Sequence, residues 1–108
     1  MSITVKISAI QGTTTVSDTN TIETGSEEKT YSLDISAFSS TVFQCKIEGK
    51  GTGKVKKISL GITKDNIPVG LSSYTVNSAD YEEIASWYLQ KFHDDCDTLK
   101  VILTMEAL

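Results

Sequence analysis

Apolar and polar residues alternate with a period of two along most of this chain, and that period dictates strands. Ile3, Val5, Ile7 and Ala9 alternate with polar neighbours. So do Tyr31, Leu33 and Ile35; Phe43, Cys45 and Ile47; Ile58, Leu60 and Ile62; and Leu99, Val101, Leu103 and Met105. In a pleated strand this spacing puts every apolar side chain on one face, which must then be covered. Residues 67–76 read as a further extended piece with Pro68 at its start, where a missing N–H is tolerated. Six to eight short strands separated by turn signals predict an antiparallel β-sandwich of jelly-roll or Ig-like type.

One segment follows a different period. In SADYEEIASWYLQKFHDD the apolar residues Tyr81, Ile84, Ala85, Tyr88, Leu89 and Phe92 recur at the i, i+3, i+4, i+7 spacing of an amphipathic helix. Asp80 and Glu83 have the spacing of a capping box. The expectation is an all-β fold with one short α-helix, about 79–93, before the last strand.

A chain of 108 residues is expected to form one domain, 1–108. No apolar run approaches the roughly 18 residues that span a bilayer, and MSITVKISAI reads as a strand, so use without Sec export and no membrane partner are expected. Ser and Thr supply 27 residues. The Thr-rich stretch 11–30 reads as a mobile arm or an exposed hairpin turning at Ser17-Asp18. There are ten basic residues, all lysine, and the net charge is −4. Without arginine, and with an acidic balance, the chain lacks the bidentate donors that nucleic-acid interfaces favour. Nucleic acid is therefore not an expected partner.

The glycine stretch EGKGTGKV, 48–55, invites a phosphate-loop reading, which its spacing refuses. A Walker loop needs Gly where Glu48 stands and Ser or Thr where Val55 stands. A dinucleotide fingerprint needs a third Gly where Lys54 stands, and both motifs open a helix. The alternation of KVKKISLGI predicts a strand instead. The expectation is a hairpin turn joining strands 42–48 and 54–63, with glycine supplying positive φ.

The run TVFQCKIEGKGTGKVKKISLGITKDNIPV, 41–69, resembles small phage virion proteins of β-sandwich type. In these a short strand, here Val42-Phe43-Gln44, leads to a G-x-G-x-G turn, here Gly49 to Gly53. A second strand follows, here Val55 to Ile62, then an acidic turn, here Lys64-Asp65-Asn66. The sequence departs from the pattern at Leu60-Gly61-Ile62, where a Ser and an aromatic are commoner. The resemblance covers about a quarter of the chain. It implies a capsid decoration, tail or fibre component, assembled in the host cytoplasm and located in the virion.

Candidate chemistry is sparse. HDDCD, 93–97, is the densest set of metal-ligand types, but it fits neither an EF-hand loop nor zinc spacing. His93 is the only histidine, no G-x-S-x-G elbow is present, and Cys96 lies three residues from it in a turn. Cys45 reads as a buried thiol, and a Cys45–Cys96 disulfide is disfavoured without export. No enzyme, cofactor or metal is expected.

Trp87 falls at the edge of the helix's buried stripe and is the preferred contact residue, since Trp is enriched at interface hot spots. Tyr74, Tyr81 and Tyr88 are candidates for a sugar platform. Residues 46–57 hold five lysines against Glu48, and residues 80–97 hold six acids against Lys91. If these form opposed patches, subunits can meet head to tail. The expected interface residues are Trp87, Lys50, Lys54, Lys56, Lys57, Asp94 and Asp95. The expected role is that of a non-enzymatic structural protein acting by self-association and contacts with other virion proteins. The alternatives are a carbohydrate- or protein-binding module and a small phage-encoded inhibitor of a host protein.

Overall fold

The computed structural model describes residues 2–62, 67–69, 73–93 and 96–108. It is all-β and antiparallel. Strands β1 (Ile3–Gln11), β2 (Thr14–Ile22), β3 (Ser26–Asp34), β4 (Val42–Gly61), β5 (Ile67–Pro68), β6 (Tyr74–Gln90) and β7 (Thr98–Ala107) form one seven-stranded sheet.

β4 organises the whole. Its 20 residues would reach roughly 65 Å if straight, yet the longest dimension of the molecule is 41 Å. The strand must bend, and in bending it serves both halves of a sheet folded over on itself. Along one edge β4 pairs first with β1, over Gln44–Gly51, and then with β7, over Gly53–Gly61. Along the other it pairs with β6, over Val42–Val55, and with β5 at Ser59 and Leu60. β2 flanks β1 and β3 flanks β7, which nearly closes the sheet.

Within the glycine stretch β4 changes partner from β1 to β7 without reversing, so the stretch is no hairpin. Residues 48–55 run through the middle of a continuous strand. β1 and β7 arrive end to end against this segment, and the backbone must make room. A Cβ on Gly51, whose φ is +95°, would strike the Ser2 carbonyl oxygen, and one on Gly53 would strike that of Glu106. Thr52 N donates to Ser2 O at 2.9 Å, sealing the junction. Glycine is required here for close approach rather than for chain reversal.

The expected helix at 79–93 is absent; residues 79–90 belong to β6, and 91–93 follow it without regular structure. Pairing with β4 satisfies their backbone and overrides the local period. The adjacent apolar pair Ile84-Ala85, part of the helical signal, is absorbed by a bulge. Ala85 pairs with Ile47 and Glu83 with Glu48, leaving Ile84 as the extra residue. The helical stripe is also not the buried face, since Tyr88 and Phe92 are 75% and 72% exposed.

The core lies between the two halves. β1, β4 and β7 contribute the alternating residues foreseen from the sequence, among them Ile7, Ile47, Ile58, Leu99 and Leu103. Tyr31 of β3 reaches across and donates its hydroxyl to Val5 O of β1 at 2.9 Å. Burial is the main cause that raises its pKa; the Asn20 side chain acts the other way. Segment 11–30 holds β2 and the start of β3, with its first turn at Gly12-Thr13 rather than at Ser17-Asp18.

Lys91, just past β6, is fully buried, and its ammonium donates to Ile35 O and Phe38 O, both at 2.9 Å. Gln11 holds the same connection through Ser39 and Thr41. Together they tie 35–41 over one end of the core, where Phe38 packs on Phe43 at 5.3 Å.

Candidate interaction surface

The alternation of β4 puts its lysines outward. Lys46, Lys50, Lys54 and Lys56 alternate with buried inner residues, while Lys57 is exposed. Glu48 sits between Lys6 and Lys46, at 3.7 and 3.8 Å. The ammonium groups of Lys6 and Lys50 lie over the Tyr81 ring, at 4.4 and 4.8 Å from its centroid. Lys56 pairs with Glu106 of β7 at 3.2 Å. Half-exposed pairs of this kind contribute about 1 kcal/mol or less each. Lys57 occupies a bulge, where it and Ile58 stand against the single residue Leu103, and its φ is +57°.

The two charged segments are neighbours. β4 and β6 are paired, so Glu82 and Glu83 register with Gly49 and Glu48. The basic stretch and the start of the acidic one thus share a ribbon and do not form opposite poles. Asp94 and Asp95 lie outside the described residues, as does the acidic turn at 64–66. His93 is exposed and Cys96 half-buried, with Cys96 N donating to His93 O at 3.1 Å. No group of three or more His, Cys, Asp or Glu side chains suited to a metal occurs among the described residues.

The aromatics separate by face. Trp87 stands opposite buried Cys45 and is half-buried against the core. Tyr88 points outward opposite Gln44, diagonal to the half-exposed Val42, whose register partner is Gln90. Ile10 of β1 faces Gln44 from the other side. Tyr74 faces Val55 and packs on the core at the far end of β6. Tyr81 and Tyr88 are roughly 20 Å apart along the strand, so the three tyrosines do not converge on one platform.

Among the described residues the sheet ends at the two-residue β5 and at three long edges, and the long edges differ in kind. β2 pairs only with β1, and β3 only with β7, among the described strands. Register places Asp18 and Asn20 of β2 opposite Ile7 and Val5. It places Glu27 and Lys29 of β3 opposite Met105 and Leu103. Directly opposed residues share a face, so these polar groups occupy inward positions along the seam between β2 and β3. Inward charge is a common device against edge-to-edge pairing. Among the described strands β6 pairs only with β4, and over 84–90 its sequence reads IASWYLQ, with no charge, proline or glycine.

Cys45 is no nucleophile at neutral pH, because burial pushes its thiol up to about 12. Three features escape the sequence pattern. Lys91 gives no sign of burial, except that it continues the inward series Ala85, Trp87, Leu89. Tyr81 is placed between two lysines only by the β1–β4–β6 pairing. The inward charges of β2 and β3 fall where alternation predicts apolar residues. Against protein-family models, curated proteins and solved structures, the chain finds no match.

Proposed function

We propose that this chain is a non-enzymatic structural protein that works through subunit–subunit contacts. The observation that carries the reading is the long β6, 17 residues, whose second edge no described strand covers. An uncovered, uncharged edge is a template for another strand. Tyr88 and Val42 add exposed apolar surface beside it. The virion setting, as capsid decoration, tail or fibre component, rests on the resemblance of residues 41–69 alone.

The fold supports the reading as a β-sandwich. The shortest dimension is 19 Å, which suits two sheet layers about 10 Å apart with their outward side chains. Sandwiches of this size present edges and flat faces to neighbours rather than deep sites.

Light scattering on a sizing column, at low and at ~0.5 M salt, tests the proposal. Assembly at both salts is the expected result, because backbone pairing and apolar contact are screened little. A monomer at both salts overturns it and redirects the search to a glycan or a host protein. Dissociation by salt would move the contact to the lysine face of β4.

A further inference from the structure

We infer that two copies of this chain pair through residues 84–90 of β6, antiparallel about a two-fold axis at Trp87. The inference rests on the assembly reading and names its contact. Three long edges lack a paired strand among the described residues, and charge selects among them. β2 and β3 carry Asp18, Glu27 and Lys29 at inward positions. On β6 the segment 79–83 carries Asp80, Glu82 and Glu83, and its pairing with β4 is irregular between Gly49 and Gly51. Past the bulge at Ile84, β6 is regular and uncharged over 85–90, a segment longer and richer in large apolar residues than the other regular, uncharged stretch, 74–78.

Charge also sets the register. The acids stand N-terminal to the neutral segment on every copy. A parallel arrangement in register would stack them against their equivalents. Antiparallel pairing centred on Trp87 sets Ile84 opposite Gln90, Ala85 opposite Leu89 and Ser86 opposite Tyr88. The acids of each copy then fall beyond the paired segment. The half-buried inward residues Ala85, Trp87 and Leu89 become covered, and the two Tyr88 rings come within diagonal reach on the outer face. The product is a continuous sheet running β1-β4-β6 into β6-β4-β1 of the second copy. The contact is isologous and closes on itself.

Two measurements on the full chain test this. Amide exchange is followed as concentration rises. Protection should grow at 84–90 as the solution mass doubles, and stay constant at 14–22 and 26–34. Second, the double variant Ser86→Cys, Tyr88→Cys is oxidised. Positions 86 and 88 of one chain are about 6.4–6.8 Å apart, at the upper limit for a bridge, whereas in the dimer each faces the other across the axis at about 4.5–5.5 Å. A covalent dimer absent from the wild type and from Ser86→Cys alone is expected. If the wild type associates but gains no protection at 84–90, the edge pairing is overturned while the assembly reading survives on another surface. A monomer persisting to ~1 mM overturns both. Protection at 84–90 at concentrations where the solution mass is that of one chain overturns the pairing as well, since the chain would be covering its own edge.

Discussion

β4 has two long edges, and the fold treats them differently. On one, β1 and β7 meet end to end and backbone closes on backbone at Gly51 and Gly53. On the other, β6 runs alongside and its own far edge is left uncovered by any described strand. Closure demands specific residues, because a Cβ at the junction has nowhere to go. The open side demands nothing of the kind, and its residues are free to serve something else. A constraint inside the domain therefore marks the sequence with glycine, whereas a constraint from outside leaves only the absence of charge.

The closed edge is the easier one to break. Gly51→Val imposes a left-handed backbone on a β-branched residue, which costs about 1–2 kcal/mol, and drives its Cβ into the Ser2 carbonyl. Forced displacement of packed backbone adds about 1–3 kcal/mol. The expected loss of about 3 kcal/mol or more would show as a large drop in the urea midpoint with m unchanged. Tolerance of valine would mean that β1 and β7 do not meet at this residue.

The open strand is nevertheless pinned at one end, by Lys91. Lys91→Met keeps the volume and apolar stem but removes the donors to Ile35 O and Phe38 O. Ile35 O keeps the Phe38 amide as a donor, so Phe38 O is the carbonyl that loses its partner; that costs about 1–3 kcal/mol, and relief from burying a charge offsets part of this. A net loss of about 1–2 kcal/mol is expected in urea unfolding, with exchange accelerated over 35–41. A more stable Met variant would show that the ammonium burial outweighs its two bonds.

The same contrast decides what the sequence reveals. β1 and β7 are legible because each has one buried face and simple alternation, Ile3 to Ala9 and Leu99 to Met105. The glycine stretch is legible as special but not as a change of strand partner. Chain reversal and close approach both call for glycine, and only the partners Ser2 and Glu106 tell them apart. β6 misleads because its apolar residues satisfy two periods. Ile84-Ala85 reads as two turns of one helical face until a bulge lets both fit a strand. Of the expected contact residues, Trp87 lies in the bare segment of β6, although it is reached by a strand. Lys50, Lys54 and Lys56 are outward on β4, and Lys50 lies over Tyr81, between the acids Asp80 and Glu82 that it was expected to oppose. No local signal reports that pairing, since it joins residues far apart in the chain.

Trp87 sharpens the comparison from the open side. Its ring is only half-buried within one chain, so Trp87→Ala should cost the isolated domain about 1–2 kcal/mol, below the roughly 3–5 of a fully buried aromatic. The dimer should lose more, because the same ring lies on the proposed axis and is then covered. Sedimentation across a dilution series and urea unfolding under monomeric conditions separate the two effects. A weakening of association of at least tenfold alongside a modest loss of stability is expected. Unchanged association would remove Trp87 from the contact.

The smallest effect belongs to Lys57, the one described residue other than glycine held at positive φ. It sits in the bulge where β4 passes β7, on the closed edge, and its side chain is exposed, with no ion pair among the described residues. Glycine at this position removes a left-handed penalty of about 1 kcal/mol, but it also loosens the unfolded chain by several tenths. Lys57→Gly is therefore expected to stabilise by about 0.5 kcal/mol. Lys57→Val should destabilise by about 1 kcal/mol or more, since a β-branched side chain tolerates this backbone least. The pair of variants read together separates backbone strain from loss of charge, because both remove the ammonium and only the sign of the change differs. Equal shifts for Gly and Val would show that the charge, and not the bulge, sets the effect. Opposite shifts would show that the closed edge constrains β4 beyond its glycines, through a turn of backbone that the sequence fills with lysine.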